Sequence, residues 1–286
     1  MSSLLGPAEI RQIADRLGIR PTKTLGQNFV VDANTVRRIA RAASLDLADI
    51  TIEVGPGLGS LTLGLLPESG RTYAVEVDPT LARALPDTIR RRVPDLADRL
   101  TVIPANALRI GPADLPGPQP TALVANLPYN VAVPVVLHLL AVLPSIQHGL
   151  VMVQAEVADR LTAPPGSRVY GVPSVKLAWY AESWQAGPVP RSVFWPVPNV
   201  DSGLVGFRRR EPPQGIARQM VFDLVDAAFA QRRKTLRAAL ARWAGSAHRA
   251  EEILRTARVD PGVRGESLTV EQFAAIARER VRSEDG

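Results

Sequence analysis

Short apolar runs alternate with longer amphipathic or turn-rich stretches through the first part of the chain. Four runs are rich in Val, Ile and Leu, namely ITIEVG (50–55), RTYAVEV (71–77), LTVIPAN (100–106) and TALVANL (121–127). A fifth run, GLVMVQ (149–154), passes into a helical pattern. Continuous apolar strands separated by crossover segments are typical of a parallel sheet covered on both faces. The pattern predicts an α/β fold with a mostly parallel sheet.

The pattern changes twice towards the C-terminus. VKLAWYAESW (175–184) and SGLVGFRRR (202–210) read as a terminal strand pair, and the prolines between them exclude a central strand there. From Ile216 onwards apolar residues recur at spacings of three and four, which predicts helices. The charged, proline-containing stretch RRREPPQG (208–215) separates the two textures. We therefore predict an α/β domain with an N-terminal arm over residues 1–211 and a helical domain over residues 212–286.

Composition narrows the class of protein. The chain has no cysteine, which excludes disulfides and thiolate metal sites. It has no uninterrupted apolar segment of the ~18 residues that a transmembrane helix needs. Its first residues carry acids and bases within an apolar pattern and lack the layout of a signal peptide. We expect a cytoplasmic protein without a membrane partner.

The positive charge is concentrated in the helical part. Residues 1–204 hold 18 basic and 17 acidic residues, whereas residues 205–286 hold 16 and 11. Of the 34 basic residues 31 are arginine, whose forked guanidinium suits phosphate contacts and stacking on bases. A basic appendix on a nearly neutral body favours a polyanionic partner, although a solvated helical surface gives the same composition.

A glycine loop follows the first predicted strand. In EVGPGLGS (53–60), Gly55, Gly57 and Gly59 let the backbone turn sharply and approach a ligand. Glu76 ends the second strand, where a carboxylate can accept both hydroxyls of a ribose. Loop and acid together predict an adenosine-containing cofactor, either NAD or S-adenosylmethionine. The G-x-G-x-G spacing departs from the dinucleotide fingerprint and resembles the loop of class I methyltransferases.

The fourth strand ends in ALVANLPYN (122–130), a tip without any nucleophile or strong base. Such a tip suits methyl transfer to an aromatic amine, whose lone pair is delocalised into its ring. The Asn126 side chain and the Leu127 backbone carbonyl offer neutral acceptors for the two N–H bonds of the amine. Pro128 fixes the turn, and Tyr129 offers a ring on which a base can stack.

Several ordered motifs across both domains resemble the ribosomal RNA adenine N6,N6-dimethyltransferase family. They are KTLGQNFVVD (23–32), EVGPGLGSLT (53–62), VEVDPTLA (75–82), NLPYNVAVP (126–134), MVQAEVADRL (152–161), FWPVPNVDS (194–202), FAQRRKTLRAAL (229–240) and RGESLTVEQFAAIA (264–277). The resemblance implies a Rossmann-like class I methyltransferase sheet with S-adenosylmethionine as the methyl donor and no metal. It implies as target two adjacent adenosines in the 3′-terminal hairpin of small-subunit rRNA, each dimethylated during subunit maturation. It also implies action on a pre-30S-like particle by a protein that is monomeric off the ribosome.

The same resemblance implies roles for individual residues. Those expected to line the donor site are Asn28, Val30, Gly55, Glu76, Asn106 and Asn126. Residues Asn126 to Tyr129 are expected to hold the target amine, and Phe194 to stack on the flipped base. Asn106 stands where the family most often has Asp, and Val30 where Leu is common. Because an amide oxygen still accepts a hydrogen bond, we expect donor binding to persist, but more weakly.

The run QRRKTLR (231–237) is the strongest candidate for phosphate contact in the helical part. It holds Arg232, Arg233, Lys234 and Arg237, and a solvated helix face is the alternative interpretation. Three other functions remain open from the sequence: an antibiotic-resistance methyltransferase acting on large-subunit rRNA, an NAD-dependent oxidoreductase, and a non-catalytic RNA-binding assembly factor on a methyltransferase scaffold, against which the intact tip Asn126 to Tyr129 argues. The oxidoreductase alternative gives no account of the amide tip or the basic tail.

Overall fold

The structure, a computed structural model, describes residues 4–19 and 28–284. The chain divides into two units. Unit 1 consists of Met1–Ala158 and Trp184–Arg209, and unit 2 consists of Asp159–Ser183 and Arg210–Gly286.

A seven-stranded sheet and a two-stranded sheet contain all nine strands found in the described residues. The strands are β1 (Phe29–Val30), β2 (Ile50–Val54), β3 (Arg71–Glu76), β4 (Leu100–Pro104), β5 (Ala122–Asn126), β6 (His148–Gln154), β7 (Ala181–Val189), β8 (Phe194–Trp195) and β9 (Ser202–Arg209). The large sheet has the order β4-β3-β2-β5-β6-β9-β7, and the small sheet pairs β1 with β8 antiparallel. The predicted α/β fold is therefore confirmed.

Strands β4, β3, β2, β5 and β6 are parallel, and β9 is antiparallel to β6. The interior of these strands is mostly buried, in agreement with a sheet covered on both faces; Ile52, Leu123 and Val151 have no exposed surface. The strand order reverses between β2 and β5. In open α/β sheets such a switch point places a crevice outside the carboxyl ends of the strands.

Twelve α-helices, some of them very short, complete the described residues. They are α1 (Pro7–Arg16), α2 (Ala33–Ala42), α3 (Ser60–Leu65), α4 (Pro79–Arg92), α5 (Ala132–Val142), α6 (Ala155–Leu161), α7 (Val172–Ala178), α8 (Arg218–Ala230), α9 (Leu236–Ala239), α10 (Ala241–Ala244), α11 (Ala247–Thr256) and α12 (Val270–Glu284). The helical texture predicted beyond Ile216 is present as α8 to α12. Its buried side chains include Leu224, Leu254 and Phe273, each without exposed surface.

The segment around residue 175 differs from the sequence prediction. The expected strand 175–184 is helix α7 followed by β7, which starts only at Ala181. Helix α7 has Gly171 as its N-cap and a proline in its first turn, both ordinary at a helix start. Its Lys176 forms an ion pair with Asp226 of α8 at 2.8 Å. This contact is long-range and therefore invisible in the local pattern.

The division of the chain is also less simple than a boundary between residues 211 and 212. Residues 159–183 belong to the helical unit, although this segment ends within β7 and the chain then returns to the sheet. The Tyr170 hydroxyl donates a hydrogen bond to the Leu268 carbonyl at 2.8 Å, and this bond ties the segment to the start of α12. Within the described residues, no helix has the length and apolar content needed to span a membrane.

Candidate active site

A cavity opens at the carboxyl edge of the parallel strands in unit 1. It encloses about 1190 Å³ of empty space, including solvent at its mouth. Eight of the predicted site residues line it: Asn28, Val30, Gly55, Gly57, Glu76, Asn106, Asn126 and Pro128. The structure thus brings together residues from the arm, the glycine loop and the ends of β3 and β5. In the motif KTLGQNFVVD (23–32), the first five residues, Lys23 to Gln27, lie outside the described residues.

The glycine loop has two different roles. Gly57 has φ +56°, and a Cβ there would lie 2.9 Å from Cε1 of Phe29. The missing side chain therefore makes room for the Phe29 ring, which belongs to β1 and also lines the cavity. Gly59 is the N-cap of α3, and a Cβ there would lie 2.8 Å from Cδ1 of Leu85. Gly59 is absent from the cavity lining, so its contact is with helix α4.

Glu76 lies at the end of β3 with only 5% of its surface exposed. One carboxylate oxygen accepts the Gly57 N–H at 3.2 Å, and the other accepts the Asp78 N–H at 2.9 Å. Burial raises the pKa of Glu76, and these two hydrogen bonds oppose the increase. Each oxygen retains acceptor capacity for a ligand hydroxyl, and the backbone bonds fix its direction.

Glu53 is a second acid in the cavity wall, which the sequence interpretation did not use. It is 1% exposed, and its carboxyl accepts a hydrogen bond from the Thr62 hydroxyl at 2.6 Å. Burial raises the pKa of Glu53 to about 8; the Thr62 bond opposes this shift and the nearby Glu76 charge adds to it. In the sequence, this role is indicated by a charged residue, Glu, at the penultimate position of a buried strand.

Asn106 is exposed at the cavity mouth just after β4. Its side-chain oxygen accepts the Leu108 N–H at 3.0 Å, which closes a local turn. A carbonyl oxygen has two lone pairs, so one acceptor position remains. Asn106 therefore offers a neutral oxygen that is already shared with the backbone.

The amide tip is held by the arm. The Asn126 side-chain nitrogen donates to the backbone oxygen of Asn28 at 3.2 Å, which orients the amide oxygen away from β1. Within the described residues, neither that oxygen nor the Leu127 carbonyl oxygen has a hydrogen-bond donor. The Leu127 N–H is bonded to Met152 of β6 at 3.0 Å, and the Pro128 carbonyl accepts from Val131 at 3.1 Å. The tip therefore presents two neutral acceptors on a fixed backbone.

The Tyr129 side chain is held by a hydrogen bond to β9. Its hydroxyl shares a hydrogen bond of 2.9 Å with the hydroxyl of Ser202, the first residue of β9. Burial raises the pKa of Tyr129, and the Ser202 bond opposes the increase. Asn130, the next residue, also lines the cavity.

Phe194 does not occupy the exposed position that stacking on a base requires. The ring is 2% exposed and belongs to the hydrophobic core of unit 1. Phe194 pairs with Val30 in the small sheet, and its neighbour Trp195 stacks on Phe29 with ring centroids 6.2 Å apart. The expectation that Phe194 stacks on a flipped base is therefore not supported by its position, because the prolines around it conceal a two-residue strand in the sequence.

The basic run 231–237 lies mostly in the turn between α8 and α9 rather than on one helix start. Arg232 pairs with Glu266 at 3.0 Å, and Arg237 pairs with Glu251 at 2.9 Å. Arg233 and Lys234 are exposed and have no ion pair within the described part of the chain. The four side chains therefore differ in how much of their charge is available to a partner.

No group of three or more His, Asp or Glu side chains in the described residues is arranged to hold a metal ion.

Comparison with known proteins gives close relatives over nearly the full chain. The ribosomal RNA small subunit methyltransferase A of Thermobifida fusca is 65% identical over 278 residues, covering 97% of this chain and 96% of that protein. The protein of the same name from Kineococcus radiotolerans is 65% identical over 281 residues, covering 98% and 93%.

Two solved structures resemble the chain more distantly. The 23S rRNA methyltransferase ErmE has a TM-score of 0.65 at 28% identity, covering 88% of this chain and 99% of its own. A dimethyladenosine transferase from Plasmodium falciparum has a TM-score of 0.72 at 21% identity, covering 86% and 94%, and supports the fold alone. The sheet is thus the Rossmann-like sheet of methyltransferases.

The sequence model of the ribosomal RNA adenine dimethylases matches residues 19–280, which include both units almost completely. Together with relatives at 65% identity, this match assigns the protein: the chain belongs to the ribosomal RNA adenine dimethylase family.

Proposed function

We propose that the protein transfers methyl groups from S-adenosylmethionine to N6 of two adjacent adenosines in the 3′-terminal hairpin of small-subunit rRNA. The observation that carries this proposal is the tip formed by Asn126 and Leu127, whose two acceptor oxygens have no donor among the described residues, beside the cavity lined by Glu76 and the glycine loop. The relatives at 65% identity bear the name of small-subunit methyltransferases, which favours the small-subunit target over the large-subunit alternative.

The cavity residues fit the proposed donor. Glu76 presents a fixed carboxylate for ribose hydroxyls, and Asn106 presents an amide oxygen at the mouth for the adenine amine. Gly55 and Gly57 have no side chains, so the backbone of the loop lies next to the ligand space at these two positions. When bound, S-adenosylmethionine supplies a methyl group on a sulfonium sulfur, which keeps the bonding electron pair as the methyl moves to nitrogen.

The tip then acts by position and electrostatics. The Asn126 side-chain oxygen and the Leu127 carbonyl accept the two N–H bonds of the target amine, which favours a pyramidal nitrogen with an available lone pair. Tyr129 offers its ring as the stacking surface. The methylated amine is acidic enough to lose its proton to water, so no strong base is needed. The Asn126 amide is held by Asn28, so the acceptor oxygen is oriented before the base arrives.

Labelled S-adenosylmethionine, incubated with the protein and small subunits that lack the modification, tests this function. Mapping should place the label on the two adjacent adenosines. Label on large-subunit RNA instead would support the alternative target, and absence of label on any RNA would refute methyl transfer.

Asn126→Ala tests the role of the tip. Loss of one preorganised acceptor should lower the transfer rate by about 10²–10³-fold while RNA affinity stays nearly unchanged. An equal loss of RNA affinity and transfer would mean that Asn126 is structural. We further propose that the protein acts in the cytoplasm as a monomer on immature small subunits, which co-sedimentation and gel filtration would test.

A further inference from the structure

Helix α2 in unit 1 carries an unbalanced positive charge. Its sequence ANTVRRIARA contains three arginines, all exposed, and no carboxylate. In the described part of the chain, every other arginine-containing helix of ten or more residues also contains Asp or Glu. The opposite face of α2 is apolar and packs closely on α3, since a Cβ on Gly64 would lie 2.6 Å from Val36. The helix is therefore fixed with Arg37, Arg38 and Arg41 towards solvent.

Two of these arginines have neutral partners. The Arg37 guanidinium donates to the Asn34 side-chain oxygen at 2.9 Å, and Arg38 donates to the Pro188 carbonyl at 2.7 Å. Among the ion pairs of the described residues, none includes a guanidinium of α2.

The helical unit carries most of the net charge, but many of its arginines form ion pairs with carboxylates. There, arginines have a carboxylate oxygen within 3.0 Å at residues 210, 232, 237, 255 and 282. Paired charges attract a polyanion weakly, because the neighbouring carboxylate repels it and the pair must be broken or screened. Charge balance along the sequence therefore underestimates the electropositive character of α2.

The helix lies beside the candidate active site. Val30, which lines the cavity, precedes the first residue of α2 by three positions, and Asp32 caps the helix through the Thr35 N–H. The first turn of α2 therefore lies beside the cavity, and Arg41 lies in the last turn of the helix. The Arg38 contact with Pro188 continues this face towards exposed Arg191.

We propose that Arg37, Arg38 and Arg41 of α2 form a second RNA-contacting surface, which binds backbone phosphates of the strand flanking the target adenosines. This inference rests on the proposed function for the identity of the RNA. Exposed guanidinium groups with neutral partners are suited to forked phosphate contacts. Such contacts position the nucleic acid without reading its sequence.

The test measures the salt dependence of binding to small subunits that lack the modification. The variant is Arg37→Gln/Arg41→Gln, which spares the Arg38 bond to Pro188. Its matched control is Arg83→Gln/Arg91→Gln, which removes two exposed charges from α4 of the same unit, neither in an ion pair within the described residues. A third variant, Arg37→Lys/Arg41→Lys, keeps the charge, and thermal denaturation and donor binding verify that each variant is folded.

Removing two phosphate contacts should lower the slope of log affinity against log salt by about 1–2 and weaken binding roughly ten- to fifty-fold at 0.1 M salt. The control and the lysine variant should retain nearly the wild-type slope. A wild-type slope in the glutamine variant, or an equal decrease in the α4 control, would overturn the assignment of this surface. Methyl transfer by the wild-type protein, measured in parallel, decides the proposed function separately, because the salt slope does not depend on transfer.

Discussion

The hydroxyl groups of Tyr129 and Ser202 lie 2.9 Å apart, although 73 positions separate the two residues in the chain. Ser202 is 1% exposed and Tyr129 is partly buried, so water competes little for this bond. The bond connects the amide tip to the first residue of β9. It fixes the orientation of the ring on which we propose that the target base stacks.

Substitution of Ser202 should therefore affect transfer through Tyr129. Ser202→Ala and Tyr129→Phe should each lower the transfer rate about three- to tenfold, the effect of losing one hydrogen bond of this kind. The double variant should be no slower than either single variant, because both remove the same bond. Donor affinity should not change. Ser183→Ala, which removes a hydroxyl bonded to Leu161 in the other unit, is the control and should leave the rate unchanged. Additive losses in the double variant would mean that the two hydroxyls act independently.

The contact between Gly57 and Phe29 predicts the effect of adding one methyl group to the glycine loop. Gly57→Ala should lower the free energy of unfolding by about 1–3 kcal/mol and weaken donor binding, because its Cβ would displace the Phe29 ring at a positive φ. Phe29→Leu in the same chain should restore part of the loss. Gly111→Ala is the control, since a Cβ there meets nothing within 4 Å. Chemical denaturation and calorimetric titration measure both quantities; an unaffected Gly57→Ala variant would contradict the contact.

Glu53 should make stability dependent on pH. Its pKa of about 8 in the folded protein lies above the ordinary value of 4.5, so the native state holds a proton that the unfolded chain releases. The stabilisation is complete below about pH 4.5 and is lost as the pH rises towards 8. Over this window the wild-type free energy of unfolding should fall relative to Glu53→Gln, with a slope of up to about 1.4 kcal/mol per pH unit. Denaturant unfolding at a series of pH values gives both curves, and parallel curves would show that Glu53 does not titrate there.

Restoring a carboxylate at the mouth of the cavity should strengthen donor binding. In Asn106→Asp the side-chain oxygen would accept the Leu108 N–H and still offer a charged oxygen to the adenine amine. We expect a two- to tenfold lower dissociation constant, on the order of the ~1 kcal/mol by which a charged acceptor exceeds a neutral one. Calorimetry with S-adenosylhomocysteine and with adenosine measures the change. An equal or weaker affinity would place the adenine away from Asn106.

The basic turn before α9 should separate RNA binding from stability. Arg233→Gln/Lys234→Gln should weaken binding to unmodified small subunits and leave thermal stability unchanged, because both side chains are exposed and carry no ion pair among the described residues. Arg232→Gln should instead lower stability, since Arg232 bridges Glu266 and the Arg168 carbonyl. Filter binding and thermal denaturation of both variants provide the comparison. The reverse pattern would assign the RNA contact to Arg232.

The parts of the fold that depend on local pattern were predictable. The buried strands β2 to β6 were recognisable as apolar runs, and the glycines and Glu76 fell next to their ends. Helix α7 was predicted as a strand, because its partner Asp226 is 50 positions away and leaves no trace near Lys176. Phe194 looked accessible because a two-residue strand has no periodicity, and its burial depends on pairing with Val30. The roles of Ser202, Glu53 and Phe29 could not be predicted from the sequence, because they depend on contacts with side chains or backbone atoms elsewhere in the chain.

The pairing of β1 with β8 joins the two halves of the candidate active site. Strand β1 lines the cavity, and Asn28, the residue before it, accepts the bond that holds Asn126. Strand β8 is followed by the segment that leads to Ser202, which holds Tyr129. The Asn126 side chain, which would bind the acceptor, is thus held next to the same two-stranded sheet that lines the proposed donor cavity, and Tyr129 is held by β9, which follows that sheet in the chain. Substitutions that disrupt the pairing of β1 with β8 should therefore raise the Michaelis constant for the donor and lower the turnover of the acceptor together, because one structural element supports both substrate sites.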